Sequence, residues 1–362
     1  MGWFGSIMYL YLAGNIYVFF KGWRSLRGVS FTVKCLAGLA YWGVSLLLFA
    51  SYHNRGGYLP ESIRHLLYPA GSAWLLAIMY MVIILLITDI LRIFRIRFKY
   101  TFVAAAVLTS CILIYGSWHY KNPVVRELQL NIDKPLSGGI KELRVVAMSD
   151  LHLGNGTGKK MLKKYVGLVN EQHPDLILIG GDLVDNSLQP LYEQRMYEEL
   201  SQLKAQMGVY MSPGNHDYFG GGIDLVRKFL EETNIVLLQD SLVTLSCGLQ
   251  LLGRDDRRVK RRSLAEWQPD IIHDKPIIML DHQPYNLAQT AEAGIDIQFS
   301  GHTHRGQVWP LSLIADHVFE LSYGYRLTGH SHICVSSGLS LWGPAFRIGT
   351  DSEIVVFNIT FN

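Results

Sequence analysis

Charge is the first thing this sequence is short of. Lys, Arg, Asp and Glu make up 17% of its 362 residues, against ~25% in an ordinary soluble chain. The shortage is local. Residues 1–120 hold ten Lys/Arg and two acids, Glu61 and Asp89, a formal +8, while the remainder carries −5, giving +3 overall. A total so small and so divided is no evidence for nucleic acid, and no nucleic-acid partner is expected. Cysteine is also scarce: four residues are too few for a disulfide framework. Cys35 and Cys111 lie in apolar stretches, and Cys247 and Cys334 fall in expected strands, where a buried thiol is the ordinary reading. No internal repeat is visible.

What the first third has instead is apolar length. Stretches at about 3–20, 33–51, 72–91 and 101–118 are each long enough to span a bilayer, which takes ~20 residues. The third is the clearest, free of charge from Leu75 to Ile87. The first is the weakest, with Asn15 inside it and no basic segment before it, so it does not read as a cleaved signal peptide. Lys21, Arg24 and Arg27 fall between the first two stretches, and Arg92, Arg95, Arg97 and Lys99 between the last two. The loop at 52–71 has only Arg55 and Arg64, with Glu61. The positive-inside rule then puts the two basic loops in the cytoplasm and everything after residue 120 on the far side of a cell membrane. Asp89, one turn from Arg92, reads as half of an interfacial ion pair rather than a transport group. The organisation expected is an all-α bundle of four transmembrane helices over 1–120, a linker and first strand over 121–142, and a catalytic α/β domain over 143–362.

From Val124 the pattern changes to short apolar runs separated by helical stretches. Strands are expected at 124–132, 143–148, 175–180, 208–212, 235–239, 242–247, 249–252, 276–280, 295–299, 332–337 and 353–359. Helices are expected at 157–172, 190–205, 223–233 and 286–293. Alternation of this kind predicts an α/β domain with helix-covered sheets. Five motifs sit just past the carboxyl ends of apolar strands: Asp150-Leu151-His152, Gly181-Asp182-Leu183-Val184-Asp185, Gly214-Asn215-His216-Asp217, His282 and Gly301-His302-Thr303-His304. Strand ends are where α/β sheets gather ligand sites.

Hard oxygen ligands mixed with imidazoles suit a pair of divalent transition ions, Mn, Fe or Zn. Residues two apart in an extended segment project to one side, so Asp150 and His152 can share an ion, and His302 and His304 can serve two. Asp182 is the candidate bridge, and Asn215 offers a neutral carbonyl oxygen. Paired ions can hold a bridging hydroxide for in-line attack on phosphorus. His216, following a ligand, is the candidate general acid, with Asp217 expected to hold it and raise its pKa.

Taken in order, these motifs resemble the calcineurin-like metallophosphoesterase superfamily. The stretch from Val335 to Arg347 is similar to the subgroup of bacterial membrane-attached phosphoesterases that includes YkuE-like proteins. The resemblance implies a four-layer αββα sandwich of two sheets flanked by helices. It implies one metal on Asp150, His152, Asp182 and His304, a second on Asp182, Asn215, His282 and His302, and His216 as the acid. The function expected is metal-dependent hydrolysis of a phosphodiester or diphosphate, on a small-molecule or lipid-linked substrate near the bilayer. A membrane sensor or scaffold that binds metal without turnover is the competing reading. Arg254 could line the site and bind substrate phosphate. The run Arg257-Arg258-Val259-Lys260-Arg261-Arg262 is a solvated face by default, or a contact for anionic headgroups or a diphosphate. Gly220-Gly221-Gly222 suggests a lip beside the site. Oligomeric state is not legible.

Overall fold

The computed structural model describes residues 3–53, 61–219 and 221–362. Part of the 52–71 loop, including Arg55, and Gly220 of the expected lip lie outside the described residues. The chain divides into two units, residues 1–118 with 343–345, and residues 119–342 with 346–362.

The first unit contains α1 (Trp3–Ser25), α2 (Phe31–His53) and α3 (Glu61–Ile93), with α4 (Thr101–Tyr120) crossing into the second at its last turn. Helices are what apolar runs must form where no water satisfies the backbone. Among the described residues three of them, rather than the four expected, are long and apolar enough to cross a membrane: Phe31–Phe49, Pro69–Ile93 and Thr101–Tyr120. The stretch at 3–20 is helical as α1, but Asn15, three tyrosines, and Lys21 and Arg24 at its end dilute its apolar character. Asn15 is buried and satisfied. Its Nδ2 donates to the Tyr11 carbonyl at 2.8 Å, and its Oδ1 accepts from Ser45 Oγ at 2.7 Å and Tyr41 Oη at 3.1 Å. Asp89 pairs with Lys21 of α1 and accepts from Tyr17 Oη at 2.8 Å. Among the described residues its ion-pair partner within 4 Å is therefore Lys21, on another helix.

The second unit contains twelve strands among its described residues. They are β1 (Val124–Ile132), β2 (Glu142–Met148), β3 (Leu176–Gly180), β4 (Val209–Ser212), β5 (Ile235–Leu237), β6 (Ser241–Thr244), β7 (Gln250–Gly253), β8 (Ile277–Leu280), β9 (Ile297–Ser300), β10 (Gly324–Thr328), β11 (Ser331–Val335) and β12 (Glu353–Phe361). They form two six-stranded sheets, ordered β1-β12-β2-β3-β4-β5 and β10-β11-β9-β8-β7-β6. The period of two decides the layers. In β2, Val145 and Ala147 point into a core shared with Leu251, Ile278, Leu280 and Phe299 of the other sheet. Val146 and Met148 point outward, to Leu162, Tyr165 and Val169 of α5 (Lys159–Asn170) and to α8 (Ile223–Leu230). Ile277 and Met279 of β8 face the opposite outside, under Leu264 and Trp267. The result is helix, sheet, sheet, helix.

The helix expected at 190–205 is two, α6 (Gln189–Glu193) and α7 (Met196–Leu200), because Arg195 between them takes a left-handed φ of 51°. Two short helices were not legible: α9 (Leu264–Trp267), opened by a Ser263/Glu266 capping box, and α11 (Leu311–Val318), which follows α10 (Leu287–Glu292). β10 was also missed, being half-buried on the sheet edge. The strand expected to reach 247 stops at Thr244, and Leu245 to Gly248 turn. Cys247 is buried in that turn.

Candidate metal centre

The parallel strands deliver the motifs to one place. Asp150 and His152 follow β2, Asp182 follows β3, Asn215 follows β4, His282 follows β8, and His302 and His304 follow β9. Turning the chain so sharply needs unusual backbone. Asp150, His152, Asp182, His302 and His304 all have positive φ, between 42° and 70°. For residues with a Cβ this costs ~1–2 kcal/mol each. Two glycines admit the carboxylates: a Cβ on Gly301 would strike Asp150, and one on Gly214 would strike Asp182.

Among the described residues three clusters of side chains could each hold a metal ion: Asp150–His152–His304, His152–Asp182–His216 and Asp182–His282–His302. His152 Nε2 lies 3.2 Å from His304 Nε2, 3.8 Å from Asp150 Oδ1 and 3.7 Å from Asp182 Oδ2. His304 Nε2 is 3.5 Å from Asp150 Oδ1. Atoms bonded to one centre at ~2.0–2.2 Å lie roughly 3.0–3.6 Å apart around a tetrahedron or octahedron, so the 3.2 and 3.5 Å spacings fit a shared ion and the 3.7 and 3.8 Å spacings lie just outside that range. On the other side of Asp182, His282 Nε2 is 3.1 Å from the same Oδ2. The Nδ1–H of His282 donates to the Gly180 carbonyl at 2.7 Å, which turns Nε2 and its lone pair into the cluster. That Nε2 and Asn215 Oδ1 are buried with no hydrogen-bond partner. Buried polar atoms seldom go unsatisfied, so these orphaned donors fit a cation.

Removal from water dominates the titration. It pushes His304 down to about 3 and His302 down to about 4. At His282 burial works against the charged ring, but the Asp182 and Asp150 carboxylates raise it to about 10. Asp150 is held well below the usual carboxylate range by His304, His152 and His282, against the cost of burial. Burial opposes a charge on His152 too, but the Asp150, Asp182 and Asp185 carboxylates raise it, so His302 and His304 are ready as neutral ligands while His152 and His282 would give up a proton to a bound ion.

The expected partnership of His216 and Asp217 is corrected. Asp217 is buried and faces the backbone, accepting from Asp182 N at 2.9 Å, Val184 N at 3.0 Å and Gly214 N at 2.8 Å. Burial lifts its carboxyl to about 7. The His216 ring is held by Asp185 instead: Nδ1–H donates to the Asp185 carbonyl at 2.6 Å, and the Asp185 carboxylate is 3.7 Å away. Asp185 is the second aspartate of the Gly-Asp-x-x-Asp motif, its only signal in sequence. His216 itself is close enough to Asp182 and His152 to join a metal cluster.

Arg254, which could equally have stood on a surface turn, is drawn into an ion pair. It is buried, 3.2 Å from Asp281, and donates to the Arg262 carbonyl at 2.8 Å. The side chains facing His302 and Asn215 come from the basic run: Arg257 and Arg258 line an open cleft of about 610 Å3 with Asp256, Gln283 and Tyr285. The run is therefore divided. Arg258 donates to the Asn215 carbonyl at 3.2 Å, Arg261 is paired with Asp281, and Arg262 stacks on Trp267.

One supporting residue escaped sequence reading. Arg347 is fully buried, and its guanidinium donates to the carbonyls of His304 at 2.9 Å and of Gly338 and Ser340 at 3.0 Å each. The backbone of Leu339 and Ser340 in turn bonds Ser149 and Asp150 at 2.9 Å. The 335–347 stretch thus braces both the first and the last motif.

An αββα sandwich with carboxylates and imidazoles converging at its strand ends is the class of architecture that can gather metal ions at one place. Residues 143–306 match the family profile described as calcineurin-like phosphoesterase. The chain is 33% identical over 246 residues to an uncharacterized metallophosphoesterase of Helicobacter pylori, covering 66% of this chain and 64% of that protein. It is 31% identical to one of Campylobacter jejuni, covering 71% and 69%, and 31% identical to the Danio rerio transmembrane protein with metallophosphoesterase domain, covering 70% and 61%. Bacillus subtilis YkuE also matches, at 26% identity. This chain belongs to the calcineurin-like phosphoesterase family. It spans just under two thirds of the length of the Helicobacter pylori relative.

Proposed function

We propose that this protein is a membrane-anchored, dinuclear metal-dependent phosphohydrolase that cleaves a phosphodiester or diphosphate, with residues 1–120 as anchor, 121–142 as linker and first strand, and 143–362 as catalytic domain. The observation that carries this reading is the convergence of donors on both sides of Asp182 Oδ2, with His282 Nε2 and Asn215 Oδ1 left unpartnered. Asp150, His152, Asp182 and His304 would hold one ion, and Asp182, Asn215, His282 and His302 the other. Mn, Fe and Zn all suit this mixed oxygen and imidazole set. Bound ions would supply Lewis acidity toward phosphoryl oxygens and a water nucleophile at neutral pH.

The protein's own groups do the rest. His216, with Nδ1 engaged by the Asp185 carbonyl, keeps Nε2 for delivering a proton to the leaving oxygen. Asp217 fixes the turn that carries Asn215 and His216 by holding three backbone N–H groups. A lipid-linked substrate is favoured by α11: Leu311, Leu313, Ile314 and Val318 are exposed, and Phe319 at its end packs 6.0 Å from the His302 ring. The basic loops around Arg24 and Arg95 favour a catalytic domain outside the cytoplasm.

The test is hydrolysis of bis(4-nitrophenyl) phosphate and a lipid and nucleotide panel by purified full-length protein with Mn2+ or Zn2+. Asp150→Ala and His216→Ala are expected to abolish turnover with the fold retained. Wild-type rates in either variant would remove the mechanism, and a metal-loaded wild type inactive on every substrate would favour a sensor or scaffold.

A further inference from the structure

Beside the metal-side cleft lies a second cavity of about 280 Å3, walled by Arg254, Arg257, Arg261 and Arg262 with Asp281 and Tyr285. Four guanidinium groups around so small a space need countercharge. The acids in the wall are already committed. Asp281 is shared by Arg254 at 3.2 Å and Arg261 at 2.9 Å. The nearby Glu266 carboxylate accepts from the backbone and hydroxyl of Ser263 at 2.7 Å. Arg262 is spent on Asp270 at 2.6 Å and on the Trp267 ring. Of these arginines Arg257 keeps its donors in reserve, while Arg254 is committed. Arg254 is 8% exposed, and its Nε is buried without a partner. Arg257 stacks over the Tyr285 ring at 4.2 Å, which orients its guanidinium without using an N–H, and no hydrogen bond or ion pair engages it among the described residues. Arg257 and Tyr285 also line the cleft that contains Asn215 and His302.

We infer that this arginine cavity is a second anion subsite, taking the phosphoryl group joined through oxygen to the phosphorus being cleaved. The substrates are then diphosphates in preference to simple phosphate diesters. The inference rests on the proposed hydrolysis for events at the first phosphorus. One water is consumed there: its oxygen bonds the cleaved phosphorus, the bridging P–O bond breaks, and the bridging oxygen stays on the second phosphoryl group. That group gains negative charge as it leaves, and Arg257, which lines both spaces, is placed to meet it. A planar fork suits phosphoryl oxygens, and no ion pair among the described residues engages the Arg257 guanidinium.

Arg257→Gln tests this in full-length protein in detergent. Calorimetry on chelator-treated protein measures binding of methylenediphosphonate and of methylphosphonate. We expect the variant to bind the diphosphonate about tenfold more weakly, with methylphosphonate affinity changed far less. With metal restored, the ratio of kcat/KM on uridine diphosphate glucose to that on bis(4-nitrophenyl) phosphate should fall by a similar factor. Unchanged diphosphonate binding, or equal losses on both hydrolytic substrates, would overturn the subsite. If the wild type hydrolyses neither substrate while the variant still loses diphosphonate binding, the subsite stands and the hydrolytic reading falls.

Discussion

Replacing Arg347 by methionine isolates the brace behind the metal centre without touching a candidate ligand. The guanidinium is fully buried and serves the carbonyls of His304, Gly338 and Ser340 at 2.9–3.0 Å, with Ser337 as a fourth acceptor. Burial pulls its pKa down to about 10, a sign of the cost of keeping that charge from water. Methionine removes this cost, which offsets part of the loss. It also leaves the carbonyls facing an apolar group, at ~1–3 kcal/mol for each left unsatisfied, and a broken buried charge interaction typically costs ~3–5 kcal/mol. We take ~4 kcal/mol as the net. For a unit of this size ~2–4 °C follows each kcal/mol, so the unfolding midpoint should drop roughly 10 °C. Thermal unfolding in detergent, read by a thiol-reactive dye on the buried Cys247 and Cys334, measures it. Because His304 loses its backbone anchor, metal content measured by mass spectrometry should also fall. A drop under about 1 kcal/mol with full metal content would refute the reasoning.

Gly301→Ala should leave the circular dichroism spectrum intact and cut metal content and activity by at least ~100-fold, since its Cβ is driven into the Asp150 carboxylate; retained metal would show that the turn gives way. Asp185→Asn and Asp217→Asn should separate. The first is expected to lower kcat ~10-fold with the melting point little changed, and the second to cost ~2–3 kcal/mol in melting because bonds to three backbone N–H groups are disturbed. If Asp217→Asn melts normally, its carboxylate does not hold the turn. Chelation should lower the melting point, and Mn2+ or Zn2+ at ~100 times Kd should restore ~2.7 kcal/mol; a melting point indifferent to metal would contradict the orphaned donors. The pair Leu313→Asp and Ile314→Asp should weaken binding to phosphatidylglycerol vesicles of a soluble fragment starting near residue 119, provided circular dichroism shows that the fragment folds; equal binding would remove α11 as a lipid contact.

The elements that were legible are those whose signal is local. β3 and β8 are runs of Leu, Ile and Met buried on both faces, so continuous apolar character marked them, and Val145 to Met148 of β2 give the same signal. Elements set by context were not. Arg195 breaks a helical pattern with one left-handed residue, β10 has half-buried, half-exposed alternation at an edge, and α11 exposes the apolar residues that would normally mark a core. At the site, residue types and their place after strands could be read directly, because ligand chemistry belongs to side chains. Partnerships could not. Asp217 neighbours His216 in sequence but turns to the backbone, while Asp185, 31 residues away, takes the ring. Arg254 looked like a phosphate ligand and is paired to Asp281, while Arg257, in what read as a solvated run, faces the cleft.

The amino-acid sequence by itself determined the kind of chemistry and the membrane-length helices, since donor atoms and apolar length are properties of residues. Which carboxylate meets which imidazole, which arginine is neutralised and which is left free depend on how two sheets bring distant strand ends within 4 Å. Hydrogen-bond and ion-pair energies fall off over that distance, so only the packed chain could decide them.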